Sequence, residues 1–337
     1  MLKYITLYFS LIAIILSSVG IPSGNADEQP VDSINGGDPF MVEADNGTYY
    51  TFTTGGGVDI IKIKSYDNAE ILDRKTVFYA GQNGTLRDIW APEIHQINGK
   101  WYIIASALFN PEHTPRGTMP DNNDNREHDD YYRYTFILES KTDDIFGEYE
   151  FKNYLAPSGM NNIDGTYLKR DDKLYFVTSS YKDISHQCIT ITEMVNPYTL
   201  KTDKNNNTVT AELSTPVYYW ETRGWRVNEG PAVLYNNDGI YILYSASGFS
   251  SGHYCMGMLT LKEEDILSSD SWKKSVTPVF TKKPLMNIYN PGHCSFLYRE
   301  NGEIIMVYHA TKTKDFSESP RLTYIKKVNF INNYPVF

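Results

Sequence analysis

Cysteine is scarce in this chain: Cys188, Cys255 and Cys294 are the only three in 337 residues. Three thiols cannot build a disulfide framework, and no CxxC spacing marks a metal knot. The fold is therefore expected to rest on packing, with at most one bridge. Positive charge is also short. Lys and Arg total 31 against 41 Asp and Glu, a net charge of −10. No basic stripe appears, which excludes nucleic acid and anionic lipid as partners. Long apolar runs are missing too. Leu7 to Leu16 is almost wholly apolar but short for a bilayer. With Lys3 before it and Gly24-Asn25-Ala26 after it, the run reads as a signal peptide over residues 1–26. A membrane anchor is the alternative. The expected product is a secreted protein beginning near Asp27, free of the membrane after cleavage. No long helical period occurs beyond that segment.

Aromatic residues are abundant, at 14% with 27 Tyr and 5 Trp. Such side chains pack well on pleated sheets, and their flat faces also suit the C–H faces of sugar rings. Five segments repeat one pattern: a polar or charged start, a short apolar run, a turn, and an aromatic-rich apolar run. The first is Asp38-Pro39-Phe40-Met41-Val42, a turn at Asn46-Gly47, and Tyr49-Tyr50-Thr51-Phe52. The others start at Trp90-Ala91-Pro92-Glu93, Asp164-Gly165-Thr166, Glu229-Gly230-Pro231 and Gly292-His293-Cys294. Their turns are Asn98-Gly99, Asp171-Asp172, Asp238-Gly239 and Asn301-Gly302. Asn-Gly and Asp-Gly accept the positive φ that tight hairpins need.

A repeat of roughly 50–75 residues built from hairpins matches the blades of a β-propeller. The predicted fold class is all-β, a five-bladed β-propeller formed by residues 27–337 as a single domain. Residues 321–337 are expected to close the ring with the N-terminal segment. Inner strands of propellers converge on one channel, so Asp38, Trp90, Asp164, Glu229 and His293 are predicted neighbours. The plainer reading is that these starts only cap strands of a non-catalytic carbohydrate-binding propeller. Three carboxylates at equivalent inner positions would repel one another unless the site uses that repulsion.

The motifs Asp-Pro-Phe (38–40), Trp-Ala-Pro-Glu (90–93), Ile-Asp-Gly (163–165), Asn-Glu-Gly-Pro (228–231) and Pro-Gly-His (291–293), in this order, resemble glycoside hydrolase family 43. The resemblance runs from Asp38 through Arg321. It implies that Asp38 is a general base activating water and Glu229 the general acid. It makes Asp164 the residue that tunes and orients that acid. It also implies that His293 lies near the substrate and a bound ion or water cluster, and that Arg321 contacts sugar hydroxyls. No cofactor is implied beyond a structural Ca²⁺ near His293, for which there is no EF-hand spacing. The chemistry agrees: inversion needs two carboxyls about 6.5–9.5 Å apart, one protonated and one ionised. Inner strands of different blades can span such a gap.

Further likeness at Gly-Gly-Gly-Val-Asp (55–59) and Tyr-Ser-Ala-Ser-Gly (244–248) implies an exo-acting α-L-arabinofuranosidase. Its partner would be plant cell-wall arabinan, arabinoxylan or their oligosaccharides. β-Xylosidase and endo-arabinanase remain alternatives. Trp90 reads as a sugar-stacking wall or as packing between strands, and Glu93 as structural. Trp220 and Trp225 read as cleft or core residues. His186, His253 and His309 have no partner spacing for a metal and read as ordinary structural histidines. The polar stretch from Asn110 to Arg133 reads as a cleft wall or a surface loop.

Overall fold

The structure, a computed structural model, describes residues 28, 30–44, 47–53, 57–110, 112, 132–183, 185–237 and 239–337. The expected signal peptide and residues 113–131 of the polar interruption lie outside the described residues. Among the described residues, helix is limited to three-residue 3-10 turns. Everything else of regular structure is strand, arranged as a five-bladed β-propeller.

Strand β1 (Pro30–Asn35) precedes blade 1, which holds β2 (Phe40–Ala44), β3 (Gly47–Thr53), β4 (Gly57–Ser65) and β5 (Asn68–Tyr79). Blade 2 holds β6 (Trp90–Ile97), β7 (Lys100–Leu108), β8 (Arg133–Ser140) and β9 (Tyr149–Leu155). Blade 3 holds β10 (Asn162–Arg170), β11 (Lys173–Asp183) and β12 (His186–Asn196). Both β13 (Thr199–Leu200) and β14 (Thr210–Ser214) pair with β12. Blade 4 holds β15 (Asn228–Asn236), β16 (Gly239–Ala246), β17 (Cys255–Leu261) and β18 (Trp272–Lys274). Blade 5 holds β19 (Tyr289–Tyr298), β20 (Ile304–Thr311), β21 (Leu322–Lys327) and, from the other end of the chain, β1. A last hairpin, β22 (Asn329–Ile331) with β23 (Tyr334–Val336), follows.

The predicted turns Asn98-Gly99, Asp171-Asp172 and Asn301-Gly302 join inner strands to their neighbours, while Asn46 and Asp238 of the other two lie outside the described residues. Asn98 and Gly99 both take positive φ, 51° and 80°, between β6 and β7, the geometry of a tight hairpin turn. The second strands are apolar at successive positions because both of their faces are buried. Ile103 packs toward blade 1 and Ile104 toward blade 3. Phe176 packs toward blade 2 and Val177 toward blade 4. Met306 packs toward blade 4 and Val307 toward blade 1. Alternate side chains of one strand thus serve different blade interfaces. The three cysteines are free and buried.

Ring closure follows the expectation for the C-terminal segment. Strand β1 pairs antiparallel with β21, Pro30 opposite Tyr324 and Asn35 opposite Leu322. Just before β1, the buried Glu28 forms ion pairs with Lys283 and Lys326.

Candidate active site

The inner strands β2, β6, β10, β15 and β19 pack side by side around the axis. Near the start of each lies a kink. Register shifts occur between Trp90 and Glu93, Ile163 and Thr166, Glu229 and Ala232, and Gly292 and Ser295. One residue at each kink sits in the left-handed region: Ala91 (φ 44°), Asp164 (56°), Gly230 (53°) and His293 (43°). Asp38 (φ 61°), just before β2, is their counterpart in blade 1. Such backbone costs about 1–3 kcal/mol per non-glycine residue, so the surroundings must hold it.

They do so through a circuit of hydrogen bonds, each from a second strand to the following blade. Thr51 Oγ1 donates to the Pro92 carbonyl at 2.5 Å. Ser106 Oγ accepts from Asp164 N at 3.1 Å, and Ser179 Oγ donates to the Asn228 carbonyl at 3.0 Å. Ser245 Oγ accepts from His293 N at 2.7 Å. His309 Nδ1 accepts from Asp38 N at 3.1 Å and closes the circuit. His309 thus joins the site, contrary to its reading as an ordinary structural histidine. Its signal was register, since β20 places it opposite Gly292 of the Pro-Gly-His motif.

Asp38 lies among basic groups. Its Oδ1 is 3.1 Å from Arg321 Nη1 and 3.1 Å from His293 Nδ1. The Arg321 guanidinium lies directly against Gly37, where any side chain would displace it. Burial alone would raise the carboxyl's pKa, but His293 and Arg321 outweigh it and hold Asp38 well below the usual range. Burial keeps His309 neutral, its pKa pushed down to about 4. Because Nδ1 accepts the Asp38 amide hydrogen, His309 carries its own proton on Nε2. Burial opposes a charge on His293, yet Asp38 and Asp164 raise its pKa.

Asp164 accepts the Gly230 amide hydrogen through Oδ2 at 3.0 Å, gripping the backbone beside Glu229. Its other near neighbour is His293 Nδ1, at 3.8 Å from Oδ2. Glu229 Oε1 accepts the Tyr254 hydroxyl at 2.8 Å. Burial and then the Asp164 charge push Glu229 well above the ordinary carboxylate range. Asp164 is raised as well, by burial and by Asp38, against the pull of His293. One cluster therefore holds a carboxyl driven toward ionisation and another driven toward protonation.

Trp90 is 39% exposed, and the Arg133 guanidinium lies 3.5 Å from its ring centroid. One face of the ring is thus covered by Arg133, and the rest of the residue is exposed rather than buried between strands. Glu93 pairs with His95 at 2.7 Å, a structural use. Trp220 stacks on Tyr218 and Tyr244, whereas Trp225 is 45% exposed. His186 bonds Thr215 and His253 approaches Arg223, both apart from the carboxyl cluster. Sequence reasoning also missed Tyr254, one tyrosine among 27.

A family profile, Glycosyl hydrolases family 43, matches residues 28–335. The chain belongs to glycosyl hydrolase family 43. Two curated relatives carry the name extracellular exo-α-(1→5)-L-arabinofuranosidase. The one from Streptomyces avermitilis is 31% identical over 306 residues, covering 86% of this chain and 59% of that protein. The one from Streptomyces chartreusis is 29% identical, covering 84% of this chain and 82% of that protein. This family 43 chain thus spans less than two thirds of the Streptomyces avermitilis relative. Among solved structures, α-L-arabinofuranosidase from Lactobacillus brevis aligns with a TM-score of 0.76 at 29% identity, over 92% of this chain and 94% of that one.

The Ca²⁺ that the family resemblance implies near His293 does not fit the donors present. His293 Nδ1 is engaged by Asp38 and Asp164, and Asp38 Oδ1 is shared with the Arg321 cation. Calcium needs six to eight oxygen ligands. Among the described residues, no group of three or more His, Cys, Asp or Glu could hold a metal ion.

Proposed function

We propose that this chain is a secreted, exo-acting α-L-arabinofuranosidase working with inversion, its residues 27–337 forming one catalytic propeller after removal of 1–26. The observation that carries the chemistry is the contrast in surroundings of the two carboxyls: Asp38 sits against Arg321 and His293, whereas Glu229 accepts the Tyr254 hydroxyl and has Asp164 bonded to the next residue's amide. The names and similarity of the Streptomyces relatives support the sugar, the exo action and the extracellular location.

In this reading Asp38, ionised, takes a proton from water as the water oxygen attacks the anomeric carbon. Glu229 gives its proton to the departing glycosidic oxygen as the carbon–oxygen bond breaks. The anomeric carbon is inverted, and the exchanged protons equilibrate with solvent before the next turnover. Asp164 keeps Glu229 protonated and fixes its backbone. Trp90 supplies a flat wall for the sugar, while Arg321 and His293 supply N–H donors to its hydroxyls. The substrate is arabinan, arabinoxylan side chains or the derived oligosaccharides, and no cofactor takes part in the steps.

A panel of nitrophenyl α-L-arabinofuranoside, nitrophenyl β-D-xyloside and linear arabinan tests the reading, with products resolved by size. Free arabinose is expected as the first product from arabinan. Faster xyloside cleavage would make the chain a β-xylosidase, and oligosaccharides appearing first would make it an endo-arabinanase. Binding without new reducing ends would leave a silent carbohydrate-binding propeller. Proton NMR of the first-formed sugar tests inversion, since a retained configuration removes Asp38 from the base role.

A further inference from the structure

Tyr254 is buried and points its hydroxyl at Glu229. Its ring stacks on His309, centroids 5.8 Å apart and planes 5° from parallel. Gly292 lies close against Cε1, Cδ1 and Cζ of the ring, where a side chain would collide with Tyr254. The phenol is thus clamped between blade 4 and blade 5. Ser245, whose Oγ accepts from His293 N at 2.7 Å, is also a neighbour of the phenol. The Tyr254 hydrogen goes to Glu229 Oε1 at 2.8 Å.

We infer that Tyr254 is a positioning residue that reserves Oε1 of Glu229 as an acceptor and so directs the acid's proton onto Oε2, toward the leaving oxygen. This rests on Glu229 being the general acid. A protonated carboxyl has one O–H and one carbonyl oxygen. With Oε1 occupied by a donor, the transferable proton sits on the other oxygen. When Glu229 gives that proton up, the phenol faces a carboxylate, and a hydrogen bond to a charged acceptor is about twice as strong as a neutral one. The contact therefore strengthens along the reaction, which is the condition for accelerating it. The groups facing Glu229 are Asp164 from blade 3, Tyr254 from blade 4, His293 from blade 5 and Asp38 from blade 1. Asp164 and Asp38 oppose its ionisation, while Tyr254 and His293 favour it.

The test is Tyr254→Phe alone and combined with Glu229→Gln, assayed on an unactivated arabino-oligosaccharide and on nitrophenyl α-L-arabinofuranoside. For Y254F, kcat on the oligosaccharide is expected to fall about 10- to 100-fold, the worth of one hydrogen bond to a charged group. KM should hold, and the activated substrate should lose only a few-fold. The alkaline limb of kcat/KM should move to higher pH, because a contact favouring the carboxylate is gone. In the E229Q background, Y254F should cost little more, since both changes act through one group. Wild-type behaviour of Y254F, or an equal and fully multiplicative loss on both substrates and in both backgrounds, would overturn the inference. The reading of Glu229 fails separately: it falls if E229Q alone slows both substrates equally.

Discussion

On the blade 1 side of the pocket, Asp38 meets two basic groups, Arg321 and His293. On the blade 4 side, Glu229 meets the Asp164 charge and a phenol. Both carboxyls are half-buried, and burial alone would push both toward protonation. The sign of the neighbours decides the outcome. Cations overturn the burial effect at Asp38, and a carboxylate reinforces it at Glu229. A hydrolytic site of this kind is thus set by which residues stand beside each carboxyl, more than by how deep each lies.

Removing either carboxyl is the strongest way to break this contrast. D38N and E229Q should each lower kcat on arabino-oligosaccharides by about 10²–10⁴-fold, the usual share of a positioned acid or base. They should differ in leaving-group dependence. E229Q should spare nitrophenyl α-L-arabinofuranoside, whose leaving group needs little protonation, and D38N should slow both substrates alike.

Changing the neighbours sharpens the contrast at smaller cost. R321M removes a cation from Asp38, so its pKa rises and activity is lost at a higher pH on the acid side; kcat/KM should fall about 10- to 100-fold. D164N removes an anion from Glu229, so its pKa falls and activity is lost at a lower pH on the alkaline side. Limbs that stay in place in pH–rate profiles of these variants would show that charge on the neighbours is not what separates the two carboxyls.

The smallest effect is on stability. A carboxyl whose pKa is raised by folding destabilises the fold as pH rises past its unfolded value, fully so above its folded value. E229Q is neutral throughout and escapes that cost. Its thermal midpoint should exceed the parent's by about 2–4 °C at pH 9, and by less at pH 5. A gap that does not widen with pH would argue against an ionised, burdened Glu229 in the parent.

Much of this molecule is written in local patterns. The Asn98-Gly99 turn and the doubly buried runs around Ile103 and Val177 carry their own signals, because turn chemistry and two-faced burial act over a few residues. The convergence of Asp38, Asp164, Glu229 and His293 followed from the repeat. His309 and Tyr254 were not legible in that way. His309 matters because hairpin register sets it opposite Gly292 and because blade 1 lies next to blade 5 in the ring. The same positions in other blades are Ser106, opposite Trp90, and Ser245, opposite Glu229. A search across each hairpin from the motif would have found all three. Tyr254 has no such marker. It precedes β17, and its partner Glu229 lies 25 residues earlier on the inner strand of the same blade.

The first strand and the last long strand of the propeller are neighbours in one sheet. During synthesis, blades 1 to 4 can assemble from what has already emerged, but the fifth cannot finish until β21 arrives to meet β1. Asp38 belongs to the beginning of the chain, and Arg321 and His309 to its end. A chain cut short before residue 322 would keep all three acidic side chains and still leave Asp38 without the sheet that frames it. The framing of Asp38 by Arg321 therefore waits for a residue made 283 positions later.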